Sequence, residues 1–286
     1  MKIQKLLLPF LLLLLPLNSL WAAKLQVSVS IAPQEYFVKK IGGRHVVVNV
    51  MVRLGADPHT YEPSPRQMVS ISRSKLYFSM GTEFDEIWVP RFLSANPKMR
   101  VISVDEGIPK LEMEGHGHED EEEHSVDPHI WLSPLLVKIQ ALHIYEALRT
   151  ADPANQENYQ ANYQQFQKEL DQLYLDIKQQ FRGKAKNPTF AVFHPSWGYF
   201  ANCFGLKQVA IEVEGKSPKP GQLKNIILDL KKKGIKALFV QPQFSKRSAQ
   251  TVAKAIQGKV YTLDPLAGNW ETNLRETARK LANAIQ

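Results

Sequence analysis

The 286-residue sequence contains a single cysteine, Cys203. One thiol closes no internal disulfide, so a small cystine-stapled secreted scaffold is excluded. Glycine and proline are sparse at 15 and 18 residues, and 44% of the chain is hydrophobic. Together these exclude a collagenous or wholly disordered protein. The apolar run Leu6 to Leu15 is short of the roughly 20 residues that cross a bilayer as a helix. No HExxH helix, paired-carboxylate motif or nucleic-acid-binding motif occurs. The formal charge is +8, and the basic residues are scattered apart from Lys231-Lys232-Lys233. That cluster ends an expected helix, where cations complement the helix dipole.

What is present begins with Lys2 and Lys5, the apolar run, and then Pro16 to Ala23 with helix breakers and small residues. This is the three-part pattern of a secretory signal peptide over residues 1–23, with cleavage expected between Ala22 and Lys24. Lys2 and Lys5 are its only charges, so its removal lowers the formal charge to +6. Without a cysteine near the cleavage site there is nothing to carry a lipid. A soluble protein of the periplasm is expected, with no stable membrane insertion after cleavage.

From Leu25 onward, β-rich and helix-patterned segments alternate, which points to an α/β architecture with mostly parallel sheets. Strands are expected at Val27 to Ile31, Val46 to Val52, Leu76 to Met80 and Arg100 to Val104. Helices are expected at Gln34 to Ile41, Arg66 to Ser72, Glu86 to Ala95 and Pro134 to Thr150. Asn155 to Phe181 lacks Gly and Pro and carries Tyr159, Tyr163, Phe166, Leu170, Leu173, Ile177 and Phe181 in steps of four and three. That is one apolar stripe on a helix of about seven turns, a stiff connector. The alternation then resumes to the end of the chain. The expected division is an N-terminal lobe over 24–154, a connecting helix over 155–183 and a C-terminal lobe over 184–286.

Residues 112–125 break the pattern. His116, His118 and His124 stand among Glu114, Glu119, Asp120, Glu121, Glu122 and Glu123, with almost nothing apolar to bury. This is either a solvated acidic insertion or an auxiliary metal-collecting loop, since His-rich tracts bind borderline metals.

The remaining histidines are more sharply placed. Asp-Pro-His occurs twice, at Asp57-Pro58-His59 and Asp127-Pro128-His129. His59 lies in the loop after the second strand, His194 directly follows a strand, and so does Asp264. The crevice at the carboxyl ends of strands is where open α/β sheets bind ligands. Three imidazoles and a carboxylate suit tetrahedral Zn²⁺. Each imidazole must be neutral to donate, with an acceptor on its other ring nitrogen. Asp57 and Asp127 are candidates for that acceptor role, although fixing the loop turn is the favoured expectation. His45 and His143 are read as structural or exposed. A metallohydrolase would need an open coordination position and a general base. Glu62 is the base candidate nearest in sequence, and Pro63 and Pro65 make it a turn residue.

Several segments together resemble a known family. These are Gly55-Ala56-Asp57-Pro58-His59-Thr60-Tyr61-Glu62-Pro63, Asp127-Pro128-His129-Ile130-Trp131-Leu132-Ser133-Pro134 and Phe193-His194-Pro195-Ser196-Trp197-Gly198-Tyr199-Phe200. Glu214 to Pro220, Phe239 to Ser245 and Leu263 to Leu266 add to them. The chain is similar over its whole mature length to the metal-binding periplasmic solute-binding proteins that feed zinc and manganese ABC importers. The resemblance implies ligation by His59, His129, His194 and Asp264 in a cleft between two α/β lobes joined by one rigid helix. It implies an ABC permease as partner and transported Zn²⁺ as ligand, with Mn²⁺ the alternative; nucleic acid is not expected as a partner, and a monomer is. Manganese-type relatives commonly have Glu where this chain has His194, and a third imidazole favours Zn²⁺ over the harder Mn²⁺. No catalysed reaction is expected.

Overall fold

The computed structural model describes residues 23–113, 126–184, 188–213, 216–244 and 246–285. The first half lays down β1 (Leu25–Val29), α1 (Ala32–Gly42), β2 (Val46–Val50), α2 (Pro65–Arg73), β3 (Leu76–Ser79), α3 (Glu83–Ala95) and β4 (Arg100–Ser103). Two longer helices follow, α4 (Pro134–Ala151) and α5 (Gln156–Gln180). The second half comprises β5 (Thr189–Val192), α6 (Gly198–Phe204), β6 (Lys207–Ala210), α7 (Pro220–Lys232), β7 (Ala237–Val240), α8 (Lys246–Ala255), β8 (Lys259–Thr262) and α9 (Trp270–Ala284). The chain is thus two α/β lobes joined by one long helix.

The two sheets repeat one topology, β2-β1-β3-β4 and β6-β5-β7-β8, with every neighbouring pair parallel. In such an order successive connections leave the first strand in opposite directions. A crevice therefore opens at the carboxyl ends beside β1 and beside β5. The inner strands are short apolar runs because both faces are covered: Leu76 to Phe78 and Leu238 to Val240 are almost fully buried.

Sequence periodicity places most elements within a residue or two. The largest difference is α3, which starts at Glu83 rather than Glu86. Thr82 and Asp85 form a reciprocal capping box: Thr82 Oγ1 accepts from the Asp85 N–H at 3.3 Å, and Asp85 Oδ2 accepts from the Thr82 N–H at 3.3 Å. The buried Asp85 also accepts from Tyr77 Oη at 2.8 Å, Ser30 Oγ at 2.5 Å and Met80 N at 2.9 Å. With Thr82 Oγ1, which donates to Asp85 Oδ2 at 3.0 Å, five donors to one carboxylate fix the β3–α3 corner, and with it the position of Glu83.

The stripe on α5 is buried at Tyr159, Phe166, Leu170, Leu173 and Ile177, while Tyr163 stacks on Tyr145 with ring centroids 4.8 Å apart. The connection between the halves is broader than one helix. Trp270, at the start of α9, packs edge-on against Phe37 of α1 at 4.9 Å. Tyr36 Oη donates to Glu271 at 2.9 Å, and Arg275 bridges Glu271 and Asp176. A single apolar cluster therefore runs from the first sheet through α5 to the inner face of the second. A smaller cluster fills the other face of that sheet.

Leu170→Ala should lower stability by about 2–5 kcal/mol, because it empties a fully packed position. Leu175→Ala, on the exposed side of the same helix, should change it by less than about 0.5 kcal/mol. Urea unfolding midpoints at unchanged slope check both.

Candidate metal centre

His59, His129 and His194 come together at the carboxyl ends of the two sheets. His194 follows β5 after Phe193, at the crevice of the second sheet. Its backbone is gripped by Gln241, which follows β7: Gln241 Nε2 donates to the His194 carbonyl at 2.7 Å, and the His194 N–H donates back at 3.4 Å. Phe244 stacks on the His194 ring at 5.3 Å. His129 lies in the segment before α4, with its ring against Trp131 at 5.0 Å. Trp131 is itself fixed across the lobes. Its Nε1 donates to the Pro265 carbonyl at 2.7 Å, and Trp270 Nε1 donates to the Trp131 carbonyl at 2.8 Å. His59 stands in the loop after β2, where Asp57 Oδ1 accepts its backbone N–H at 3.0 Å.

Each imidazole has a carboxylate on Nδ1. His59 faces Glu83 at 2.9 Å, His129 faces Asp127 at 2.7 Å, and His194 faces Glu212 at 2.6 Å. An ionised carboxylate only accepts, so Nδ1 carries the proton, and in the neutral ring Nε2 keeps its lone pair. Burial also pushes the His129 pKa down, against the opposing pull of Asp127, which favours the neutral, donating ring. Ring centroids are 5.6 Å apart for His59 and His194, and 5.4 Å for His129 and His194. A metal bonded to imidazole nitrogens at 2.0–2.1 Å would space two centroids by roughly 5 Å in a tetrahedron. These two pairs thus stand a few tenths of an ångström wider than one shared ion requires.

These three histidines line a cleft of about 540 Å³, counting its open mouth, together with Glu83, Gln243 and Phe244. Asp264 immediately follows Leu263 beyond β8, but it is not among the lining residues, whereas Pro265 and Leu266 are. Its Oδ1 accepts from Leu266 N at 3.0 Å and from Gln243 Nε2 at 3.3 Å. Among the described residues no three His, Cys, Asp or Glu side chains stand close enough together to hold a metal ion as they are placed. His116, His118 and His124 lie outside the described residues. The stem of their segment is described, as an antiparallel bridge between Glu112 and Val126.

The two Asp-Pro-His copies differ in what their aspartates do. Asp57 only fixes the turn. Asp127 fixes the turn and also holds the ring, since Oδ1 accepts from both N and Nδ1 of His129. The ring-holding role for His59 passes to Glu83. Glu83 and Glu212 escape sequence reasoning because they stand 24 and 18 residues from their histidines. Their one sequence signal is position, for each is an acid just beyond the carboxyl end of a strand. His45 packs against Tyr159 at the opposite end of the first sheet, and His143 sits beside the Glu106 carbonyl. Glu62 is exposed and does not line the cleft.

A family model described as the periplasmic zinc-uptake complex component A, ZnuA, matches residues 27–284. The chain belongs to the ZnuA family. It is 30% identical over 265 residues to the high-affinity zinc uptake system protein ZnuA of Bacillus subtilis strain 168, covering 86% of this chain and 79% of that protein. It is also 29% identical to the zinc-binding lipoprotein AdcA of Streptococcus pneumoniae R6, of which it spans 50%. A crystal structure of a ZnuA superposes with a TM-score of 0.85 at 41% identity, over 91% of this chain and 99% of that one. The solute-binding protein FpvC of Pseudomonas aeruginosa, solved in complex with Mn²⁺, superposes with a TM-score of 0.81 at 26% identity, over 92% and 99% of the two chains. Both superposed structures share the two-lobe α/β fold described above.

All three imidazoles should be single Nδ1–H tautomers in the metal-free protein. Long-range ¹H–¹⁵N correlation of the rings checks this. Glu212→Gln should leave His194 in a mixture of tautomers and the other two rings unchanged.

Proposed function

We infer that this protein captures Zn²⁺ in the cleft between its lobes and delivers it to an ABC permease in the membrane. The observation that carries this reading is the set of three imidazoles, each with a carboxylate at Nδ1, with the His194 ring standing from each of the other two at nearly the spacing one tetrahedral ion would impose. His59, His129 and His194 are the nitrogen ligands in this reading. Asp264 is the oxygen ligand. The side-chain hydrogen bonds described for it go to Oδ1, so Oδ2 is the oxygen left for the ion.

Three nitrogens and one carboxylate suit borderline Zn²⁺ better than Mn²⁺. A Mn²⁺-carrying protein of the same class is the second reading, favoured by the fold shared with FpvC. Four protein ligands would fill the coordination shell and leave no position for an activated water, so the ion is cargo. Residues 1–23 act as the signal in this reading, and the mature chain works in the periplasm as a monomer. No helix among the described residues is long and apolar enough to cross a membrane. The segment with His116, His118 and His124 is an auxiliary collector, separate from the tight site.

Wild type should bind one tight equivalent of Zn²⁺, and His194→Ala should bind it at least 100-fold more weakly, as measured by competition with a chromophoric chelator. Equal affinities would sink the ligand assignment. Deleting residues 114–124 should leave the tight equivalent intact and remove only weaker binding. Metal analysis of protein purified from the periplasm without added metal should find zinc in excess of manganese.

A further inference from the structure

The segment after His194 contains a glycine that its own backbone does not require. Gly198 opens α6 and lies outside the left-handed region that favours glycine, and at a helix position alanine is intrinsically the better residue. What excludes a side chain is a neighbour. A Cβ at Gly198 would stand 2.6 Å from Asp127 Oδ2, closer than any real contact, while its other neighbours are no nearer than 3.7 Å. That carboxylate is not free to move aside. Its side chain is 3% exposed, and its other oxygen accepts both the backbone N–H and the Nδ1–H of His129. Turning Asp127 away from a methyl group would break its bond to the ring.

The next residue grips the same segment. Tyr199 Oη donates to the Asp127 carbonyl at 3.0 Å and accepts from the Leu111 N–H at 2.9 Å. Asp127 N donates to the Leu111 carbonyl at 2.8 Å. One tyrosine oxygen therefore joins both strands of the 111–127 stem to the second lobe. The stretch carrying Gly198 and Tyr199 is rigid in turn: Trp197 N donates to Gln208 Oε1 at 2.8 Å, and Gln241 Nε2 donates to Ser196 Oγ at 2.9 Å.

We propose that Gly198 and Tyr199 are positioning residues for metal capture, forming a socket in the second lobe that sets Asp127 and through it the direction of His129 Nε2. His194 belongs to the same stretch, four residues before Gly198. The socket thus fixes the imidazole of one lobe relative to the imidazole of the other, independently of the helix that joins the lobes. The inference rests on His129 being a ligand.

The test is a double-mutant cycle on the full-length mature protein, with Zn²⁺ affinity read by chelator competition and a cooperative metal-free thermal transition required of each variant. Gly198→Ala and Asp127→Ala should each weaken binding by about 10- to 100-fold, the usual effect of removing an outer-shell partner. The pair should bind no more weakly than Asp127→Ala alone, because Gly198 acts only through that carboxylate. The Co²⁺ ligand-field spectrum should change in the same way in both single variants. Wild-type affinity in Gly198→Ala, or losses that simply add, would overturn the proposal. If Gly198→Ala loses its thermal transition, Tyr199→Phe replaces it as a single variant, with a loss of 3-fold or more and the same change in the Co²⁺ spectrum expected; unchanged affinity would overturn the proposal. If His129→Ala itself binds Zn²⁺ like wild type, the failure lies with the ligand assignment instead.

Discussion

A histidine side chain holds a metal only when one ring nitrogen keeps a lone pair and the other gives its proton to something fixed. That requirement organises the site end of this molecule. Three carboxylates meet it, and two of them, Asp127 and Glu212, are almost fully buried. A buried carboxylate is costly unless it is paired and hydrogen-bonded, so each histidine and its acid stabilise the other's presence. Asp127 is surrounded by donors from its own turn and by the second lobe. Glu212 stands at the end of β6, beside the strand that leads to His194. The fold delivers these acids by putting the carboxyl ends of both sheets at one cleft, which parallel strands do by construction.

The same end of the molecule is where the lobes are tied together. The Trp131 indole N–H reaches the Pro265 carbonyl, and the Trp270 indole N–H reaches the Trp131 carbonyl. Trp131 also forms one wall against His129. A displacement of the second lobe is therefore felt at His129 through Trp131 as well as through the covalent chain. Farther back, the contact of Trp270 with Phe37 and the Tyr36–Glu271–Arg275–Asp176 chain anchor α9 to α1 and α5. The apolar cluster continuous through these contacts argues for lobes that move as a braced pair rather than as beads on a rod. Because α9 begins only six residues after Asp264, the brace and the expected fourth ligand share one short segment.

Much of this was legible in the sequence, for reasons that follow from range. The strands and the α5 stripe depend on periodicity within a few residues, and that information is local. His59 and His194 could be placed by their relation to strand ends, which is also local once the strands are known. The capping box that starts α3 three residues early lies in Thr82 and Asp85, ahead of the point where the apolar pattern of the helix begins, so periodicity alone places the start too late. Glu83 and Glu212 were not legible as ring partners, since nothing in sequence spacing ties an acid to a histidine 18 or 24 residues away across parallel strands. The packing of α9 on α1 joins residues more than 230 positions apart, beyond any pattern within a segment.

The three histidine pairs are not equivalent, and their burial ranks them. The side chains of the His129–Asp127 and His194–Glu212 pairs are 9% exposed or less, whereas His59 and Glu83 are 40% and 58% exposed. An exposed pair is screened by water and contributes about 0–1 kcal/mol to holding its geometry. A buried pair is held by packing and by every other bond its carboxylate makes. His129 and His194 thus form the stiff floor of the cleft, and His59 is its compliant rim. In the proposed reading an ion entering from solvent meets His59 with little reorganisation and completes its shell only on the floor. Geometry there is set by parts of the chain that the ion does not touch.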